Sequence, residues 1–225
     1  MTTYHEEMKD IRTLFPRGIA GIIYDCDGVM IESRAANAAF YNKVLAILGL
    51  PPMTREQETY TIMATGWQAL CHIVPPHLHD RIERIVSEDI VYDRDVVPLL
   101  TLQPGFRDFM EDMHRRGIPQ AMDTNRTDGG FQAVLDFFSL PPYLDPVVTA
   151  TSVEPKPSSE GAQKICSLWG VAPEDVLFIG DSSHDRDAAR GAGTVFAAFG
   201  SDGLEGDVEA LNYAELRRTL TPLWA

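Results

Sequence analysis

The sequence has little cysteine and no long apolar run, and each shortage excludes a class of protein. Its 225 residues include only three cysteines, widely separated and odd in number: Cys26, Cys71 and Cys166. We therefore expect free thiols in a reducing, cytoplasmic compartment rather than a disulfide framework. No stretch approaches the ~18 consecutive apolar residues of a membrane span. Residues 1–10 are too polar for a secretory signal. Because there is no span and a negative net charge disfavours binding to anionic membrane surfaces, we expect no membrane partner.

Positive charge is also scarce, with 19 Lys and Arg against 33 Asp and Glu and a formal net charge of −14 at pH 7. Nucleic acids are bound mainly through Lys and Arg, so we expect no nucleic-acid partner. The same negative field repels a phosphorylated ligand. Any anion site must therefore be built locally, from a metal ion, a lysine or backbone N–H groups. We expect a monomer or a homodimer.

Short apolar runs alternate with amphipathic helical segments along most of the chain. The runs are residues 19–24, 118–122, 146–150, 176–179 and 195–199. Continuous short apolar runs are typical of strands buried on both faces. Their alternation with helices predicts an α/β fold, a doubly wound parallel sheet of Rossmann-like type with helices on both sides.

One stretch breaks this alternation, because residues 31–97 have helical periodicity without a convincing strand. The pattern predicts an inserted helical cap over residues 31–97 and an α/β core formed by residues 1–30 and 98–225. Because the chain crosses into and out of the insertion beside the strand ends, we expect the cap to act as a lid over a site there.

Polar side chains follow several of the predicted strands, at the edge of a parallel sheet where ligands bind. Asp25 and Asp27 follow the first strand, Thr124 and Asn125 the second, and Lys156 the third. Two carboxylates two residues apart can serve as nucleophile or metal ligand and as acid or base. Each feature alone also fits a turn, a helix cap or a solvated surface lysine.

The fourth strand is followed by Gly180-Asp181-Ser-Ser-His-Asp185. Carboxylates and carbonyls are the ligands that a hard cation such as Mg²⁺ prefers. The alternative for Asp185 is an acidic cap of the helix that begins there.

Together and in this order, the segments resemble the four motifs of the haloacid dehalogenase-like (HAD) hydrolase superfamily, in its phosphoglycolate phosphatase and β-phosphoglucomutase-like branch. The matching segments are Asp25-Cys-Asp27-Gly-Val, Thr124-Asn125, Lys156-Pro157 and Gly180-Asp181-Ser-Ser-His-Asp185 with the residues that follow it through Gly193. The resemblance implies the Rossmann-like core with a helical cap. It also implies phosphate-ester chemistry, because dehalogenase and phosphonatase relatives lack an aspartate at the position of Asp27. Asp123 departs from the pattern, since an apolar residue usually precedes the threonine.

The resemblance also implies roles. Asp25 would be the nucleophile, forming an aspartyl-phosphate, and Asp27 would protonate the leaving group and then deprotonate water. Thr124, Asn125 and Lys156 would bind the phosphoryl group, and Lys156 would also restrain Asp25.

For the metal, the resemblance implies Mg²⁺ bound by the carboxylates of Asp25 and Asp181 and by the backbone carbonyl of Asp27. Asp185 would be a further ligand or would lie just behind the ligands. The expected function is a Mg²⁺-dependent phosphatase acting on a small phosphorylated metabolite, resembling phosphoglycolate or a sugar phosphate. A phosphosugar mutase and a non-catalytic phosphate-binding module remain open as alternatives.

Substrate choice is expected to lie in the cap, because the core reads only the phosphoryl group. The candidate contacts are Thr65, Gly66 and Trp67, in a loop that resembles the small-residue loop closing over the site in cap-bearing relatives, together with Arg34, Asn37, Tyr41 and Lys43. The alternative for each polar residue is a solvated helix face.

Overall fold

The architecture was obtained from a computed structural model, which describes residues 10–90, 92–200 and 203–224. The strands are β1 (Gly21–Tyr24), β2 (Ile31–Glu32), β3 (Thr101–Leu102), β4 (Gln120–Thr124), β5 (Leu144–Thr149), β6 (Val176–Gly180), β7 (Val195–Phe199) and β8 (Val208–Ala210). Six of them form one parallel sheet in the order β5-β4-β1-β6-β7-β8. Because the chain winds outward from β1 in both directions, the order reverses beside β1, where α/β sheets bind their ligands.

The α-helices in chain order are α1 (Ile11–Leu14), α2 (Arg34–Ile47), α3 (Arg55–Met63), α4 (Gly66–Ile73), α5 (His79–Arg84), α6 (Tyr92–Asp95), α7 (Phe106–Arg115), α8 (Asp128–Phe138), α9 (Glu160–Trp169), α10 (Ser183–Ala192) and α11 (Tyr213–Leu220). A π-helical turn extends α5 through Ile85–Asp89, and short 3₁₀ turns cover Pro76–Leu78, Val97–Leu99, Pro173–Asp175 and Thr221–Trp224. None of the described helices is both long and apolar enough to cross a membrane.

The core lies on both faces of the sheet because successive strand residues point to opposite sides. On β1, Ile22 and Tyr24 pack into one apolar cluster, with residues of α7, α8 and α11, whereas Ile23 packs into the other, with residues of α9 and α10. Strand residues that are buried on both sides explain the continuous apolar runs.

The cap has its own apolar cluster, built from α2, α4, α5 and the segments between them, with Tyr41, Val44, Leu70 and Ile82 among its members. It is joined to the core through a two-stranded antiparallel ribbon, in which Ile31 of β2 pairs with Leu102 of β3. Both crossings between core and cap therefore lie side by side.

The predicted α/β fold is confirmed, and each of the five apolar runs overlaps a strand of the sheet. Three strands were not predicted from the sequence: the two-residue strands β2, which falls inside the stretch expected to be helical, and β3, and the three-residue strand β8. The N-cap of α8 is Thr127, whose hydroxyl accepts a hydrogen bond from the N–H of Gly130, and Asp128 is the first helical residue. The predicted core and cap boundaries stay a prediction, and residues 1–9 lie outside the described part of the chain.

Candidate active site

The carboxyl ends of four neighbouring strands bring the motif residues together. Asp25 directly follows β1, Thr124 ends β4, Lys156 lies in the loop after β5, and Asp181 directly follows β6. Because β4 and β6 are the two neighbours of β1, their ends flank Asp25. One cavity of about 710 Å³ is lined from the core by Asp25, Asp27, Asn125, Arg126, Lys156, Asp181 and Asp185, among others.

Lys156 is the centre of the site, and its ammonium group is buried. Its Nζ donates hydrogen bonds to Asp25 Oδ1 at 2.6 Å, to Asp185 Oδ1 at 2.6 Å and to the backbone oxygen of Asp123 at 2.8 Å. Burial disfavours the charged form of Lys156, but the carboxylates of Asp185, Asp25 and Asp123 outweigh it and raise its pKa. Lys156 therefore remains a cation that fixes the orientation of Asp25.

Asn125 holds the Lys156 loop in place. Its Oδ1 accepts from the backbone N–H of Lys156 at 2.8 Å, and its Nδ2 donates to the backbone oxygen of Lys156 at 3.0 Å. Both ends of the Asn125 amide are thus engaged in positioning Lys156. Thr124 is buried and does not line the cavity, and its hydroxyl accepts from the N–H of Arg126 at 3.1 Å. The phosphate contacts expected of Thr124 and Asn125 stay predictions.

Asp27 is clamped by Arg126, a residue to which the sequence analysis gave no role. The guanidinium donates to both carboxylate oxygens, Nε to Oδ2 and Nη2 to Oδ1, each at 2.7 Å. Burial raises the pKa of Asp27, but the charge and hydrogen bonds of Arg126, with smaller contributions from Ser33 and Asn37, bring it below its ordinary value. In this arrangement Asp27 is held as a carboxylate. An arginine directly after the Thr124-Asn125 motif, in a chain poor in basic residues, was the signal that could have identified it.

Two glycines make room for the acidic residues that follow β6. A Cβ on Gly28, whose φ is +80°, would lie 1.9 Å from Asp181 Oδ2, and a Cβ on Gly180 would lie 2.2 Å from the Cβ of Asp185. Any side chain at Gly28 or Gly180 would therefore displace a carboxyl group of the site. Asp185 accepts on one oxygen from Lys156 and on the other from the N–H of Ser182, which favours a positioning role for it.

The acidic cluster carries more negative charge than the nearby lysine balances. One carboxylate oxygen from each of Asp25, Asp181 and Asp185 lies within 4.8 Å of the others. Burial, followed by the charge of Asp185, raises the pKa of Asp181 to about 7. For Asp25, burial and the neighbouring carboxylates raise the pKa, and Lys156 opposes them. Buried oxygen ligands that repel one another fit a hard divalent cation such as Mg²⁺.

The cap closes the other side of the cavity. Thr65, Gly66 and Trp67 all line it, as do Asn37 and Tyr41. Arg34 instead lines a smaller side cavity of about 300 Å³, where its Nη2 lies 3.8 Å from Asp181 Oδ2, and Lys43 pairs with Asp95 at 2.9 Å. The structure thus places most of the predicted cap candidates, but not Lys43, beside the acidic site.

Comparison with known proteins identifies the family to which this site belongs. The family model of the haloacid dehalogenase-like hydrolases matches residues 22–199, which include every motif residue described above. The chain belongs to the haloacid dehalogenase-like hydrolases. Within this family it falls in the phosphoglycolate phosphatase-like branch and is a phosphoric monoester hydrolase.

Individual relatives of this hydrolase agree with that placement. It is 25% identical to a phosphoglycolate phosphatase of Pseudomonas putida over 198 residues, which are 83% of this chain and 71% of that protein. It is 33% identical to a solved HAD-superfamily hydrolase of subfamily IA, variant 1, from Geobacter sulfurreducens, with a TM-score of 0.73 over 90% of this chain and 96% of that one. CbbY from Rhodobacter sphaeroides, solved in complex with phosphate, shares the fold at 23% identity with a TM-score of 0.74, over 90% and 99% of the two chains.

Proposed function

We propose that this hydrolase is a Mg²⁺-dependent phosphatase that cleaves a small phosphorylated metabolite through an aspartyl-phosphate on Asp25. The observation that carries the proposal is the position of the Asp25 carboxylate, held 2.6 Å from Lys156 Nζ at the floor of the cavity and beside an acidic cluster. A carboxylate fixed in one orientation is prepared to attack, since little conformational freedom remains to be lost.

The proposed first step is attack of an Asp25 carboxylate oxygen on the phosphorus. The bond from phosphorus to the ester oxygen breaks, and that oxygen takes a proton delivered by Asp27. Water then attacks the phosphorus of the aspartyl-phosphate and gives its proton to Asp27, so that phosphate leaves and Asp25 is restored. Acid–base catalysis of this kind typically contributes ~10²–10⁴-fold.

The proposed metal ligands are the carboxylates of Asp25 and Asp181 and the backbone carbonyl of Asp27, with Asp185 behind them. When bound there, Mg²⁺ would offset the repulsion between the Asp25 carboxylate and the phosphate dianion. Burial, together with repulsion from the neighbouring carboxylates, raises the pKa values of Asp25 and Asp181, and a bound cation would relieve both, which supports this assignment.

Arg126 supports a coupling between substrate entry and the acid–base role of Asp27. A carboxylate clamped by a guanidinium is a poor proton donor. The phosphoryl dianion competes for the same planar pair of N–H donors, because arginine binds phosphate and carboxylate in the same bidentate way. Arg126 would then move from Asp27 to the phosphoryl oxygens, and Asp27 would be released to take up and deliver a proton when substrate is present.

The test is release of phosphate from p-nitrophenyl phosphate and from a panel of metabolite esters, with Mg²⁺ and with EDTA. We expect turnover that requires the metal, and a loss of ~10⁴-fold or more in Asp25→Asn, as for other covalent nucleophiles. The matched control is Asp112→Asn, which changes a buried aspartate on α7 that pairs only with Arg115 and Arg116 among the described residues. Turnover unchanged in Asp25→Asn would refute the mechanism.

The same panel separates the alternatives. A phosphosugar mutase would convert a hexose 1-phosphate into its isomer without free phosphate, and a non-catalytic module would bind esters without turning them over. Phosphoglycolate and sugar phosphates belong in the panel, because relatives of this chain are named phosphoglycolate phosphatases.

A cytoplasmic location is part of the proposal, together with a monomeric or homodimeric state. The location is supported by the three cysteines, which form no disulfide. Burial raises the pKa of Cys26 well above its ordinary value, so this thiol, between Asp25 and Asp27, stays protonated and serves packing.

A further inference from the structure

The cap side of the cavity is apolar. It is formed largely by Phe40, Ile62, Trp67, Leu70 and Val86, which come from four different segments of the cap. Trp67 is 55% exposed and Ile62 is 43% exposed, although large apolar side chains are usually covered. Two exposed apolar side chains that face a cavity provide surface for an apolar ligand.

Three hydroxyl groups on the same surface are already engaged within the cap, and Asn37 Nδ2 donates to Asp27 Oδ1 at 3.4 Å and to Ser33 Oγ at 3.3 Å. Thr61 Oγ1 donates to the backbone oxygen of Glu58 at 2.9 Å, and Ser87 Oγ donates to the backbone oxygen of Arg84 at 3.2 Å. Thr65 Oγ1 accepts from the N–H of Gln68 at 3.3 Å as part of a capping box. Hydroxyl groups that cap or bond to their own helices are poor partners for the many hydroxyls of a sugar, which favours a ligand with few polar groups.

Charge on this surface argues against a second anion in the substrate. Among the described residues that line the cavity, the cationic and imidazole side chains Arg126, Lys156 and His184 all come from the core. The cap contributes one charged side chain to the described lining of this cavity, that of Glu83, which is exposed, whereas Arg34 lines the smaller side cavity. A carboxylate or a second phosphate that reached the cap would therefore meet an apolar wall and a negative charge.

We infer that the substrate is a phosphate monoester with an apolar, uncharged leaving group, an alkyl alcohol or a phenol, and this inference rests on the proposed phosphatase function. The phosphoryl group would bind at the strand ends, and the leaving group would cover Trp67 and Ile62. The cavity of about 710 Å³ is within the ~300–1,000 Å³ range of pockets that enclose drug-sized ligands, larger than a glycolate leaving group requires.

The first experiment compares kcat/KM for ethyl, butyl and hexyl phosphate with Mg²⁺. These alcohols have nearly equal pKa values, so their chemical reactivity is matched and the trend reports burial. A fully buried methylene contributes ~0.8 kcal/mol, which corresponds to about fourfold per methylene. We expect hexyl phosphate to exceed ethyl phosphate by at least tenfold. We also expect hexyl phosphate to exceed the matched ester of 6-hydroxyhexanoate, which ends in a carboxylate, by at least tenfold.

The second experiment changes side chains on the cap side of the cavity. Ile62→Lys is expected to lower kcat/KM for hexyl phosphate and to raise it for the carboxylate ester, reversing the preference. Glu83→Gln is expected to improve only the carboxylate ester. The control is Ile47→Lys, at a 37% exposed isoleucine of α2 that does not line the cavity, which should leave the preference unchanged.

The possible outcomes separate the two proposals. No phosphate release from p-nitrophenyl phosphate or from any ester would refute the phosphatase itself. Turnover with a flat alkyl series, or with phosphoglycolate or glucose 6-phosphate preferred over hexyl phosphate, would overturn the apolar leaving group and leave the phosphatase intact. An unchanged preference in Ile62→Lys, with the variant folded by circular dichroism, would also overturn it.

Discussion

The two walls of the cavity are built on opposite principles. On the core wall, Lys156, Asp185 and Asn125 are fixed by at least two described hydrogen bonds each, and the two charged groups are buried. On the cap wall, apolar side chains such as those of Trp67 and Ile62 are partly exposed to the cavity. The core wall is held by directional contacts throughout, whereas the cap wall provides mainly apolar surface, with the 3.4 Å hydrogen bond from Asn37 to Asp27 as an exception.

This difference separates chemistry from recognition. Directional, desolvated contacts fix reacting atoms in place, which is what a phosphoryl transfer needs. Apolar surface tolerates different shapes, because its contribution scales with the area removed from water. Changes on the core wall should therefore affect folding and catalysis together, and changes on the cap wall should affect mainly KM and substrate preference.

The largest expected effect is at the centre of the core wall. Lys156→Met leaves the carboxylates of Asp25 and Asp185 buried without their cation. We expect the free energy of unfolding to fall by ~3–5 kcal/mol and turnover to be lost. Urea denaturation measures the first and phosphate release the second. Lys164→Met, at an exposed lysine of α9, is the control and should change stability by less than ~0.5 kcal/mol. A loss below ~1 kcal/mol in Lys156→Met would contradict the comparison.

A smaller effect is expected at Asp123, which is buried and has an Oδ2 atom without a hydrogen-bond partner among the described residues. Burial raises its pKa to about 6, so the folded state holds its proton more tightly than the unfolded state, whose value is near 3.8. Its contribution to stability is present below pH ~4 and is lost as the pH rises to about 6. Between pH 4 and pH 7, the free energy of unfolding of Asp123→Val should therefore rise by up to ~3 kcal/mol relative to that of wild type.

The measurement for Asp123→Val is urea unfolding of both proteins at pH 4 and at pH 7. The pH 4 pair serves as the internal control, because Asp123 is then protonated in the folded state, so that no charge is buried at this position. An equal difference between the variant and wild type at the two pH values would show that the Asp123 carboxylate is not destabilising where it lies.

The next effect concerns the clamp on Asp27. Loss of a charge-assisted bidentate contact to the phosphoryl group corresponds to ~10–100-fold, so Arg126→Met should lower kcat/KM by that factor. Arg126→Lys should fall in between. Because Arg126 lowers the pKa of Asp27, the limb of the pH–rate profile that reports Asp27 should move to higher pH in Arg126→Met. A loss of activity with no shift of that limb would assign Arg126 to substrate binding alone.

The smallest effect tests the cap wall itself. Thr65 and Thr54 both form capping boxes, with Gln68 and Gln57 respectively, but only Thr65 lines the cavity. Thr65→Ala and Thr54→Ala should each cost about 1 kcal/mol of stability, measured by thermal or urea unfolding. We expect kcat/KM to change by less than ~3-fold in both. A large rise in KM confined to Thr65→Ala would make Thr65 a directional contact and contradict the description of the cap wall.

The sequence was sufficient to predict the α/β fold and to identify most of the polar residues that meet at the candidate active site. Apolar runs such as residues 176–179 identified the strands, because a strand buried on both faces has no polar positions. The polar residues that end these runs, including Asp25 and Asp181, lie together because parallel strands end at one edge. The sequence did not predict β8, because three residues carry too little periodicity to be distinguished from a loop.

Apart from the contact between Lys156 and Asp25, which the family resemblance implied, the hydrogen-bond partners of those residues could not be predicted from the sequence. Nothing in the spacing indicates that Arg126 pairs with Asp27, 99 positions earlier, or that Asn125 bonds on both sides to the Lys156 backbone. Such pairs depend on side-chain directions after two loops have closed. The apolar wall of the cavity was hidden for a related reason: helical periodicity reveals that a cap helix has an apolar face, but not whether protein or ligand covers it.

The ribbon of β2 and β3 has a practical consequence for protein engineering. Because the entry and exit strands of the cap are paired with each other, Ile31 with Leu102 and Glu32 with Thr101, both junctions lie at one place in space. A cap exchanged at these two strands would arrive with its ends already matched to the recipient. Recognition could then be transplanted as a cassette between enzymes of this architecture, while the phosphoryl chemistry of the recipient stays as it is.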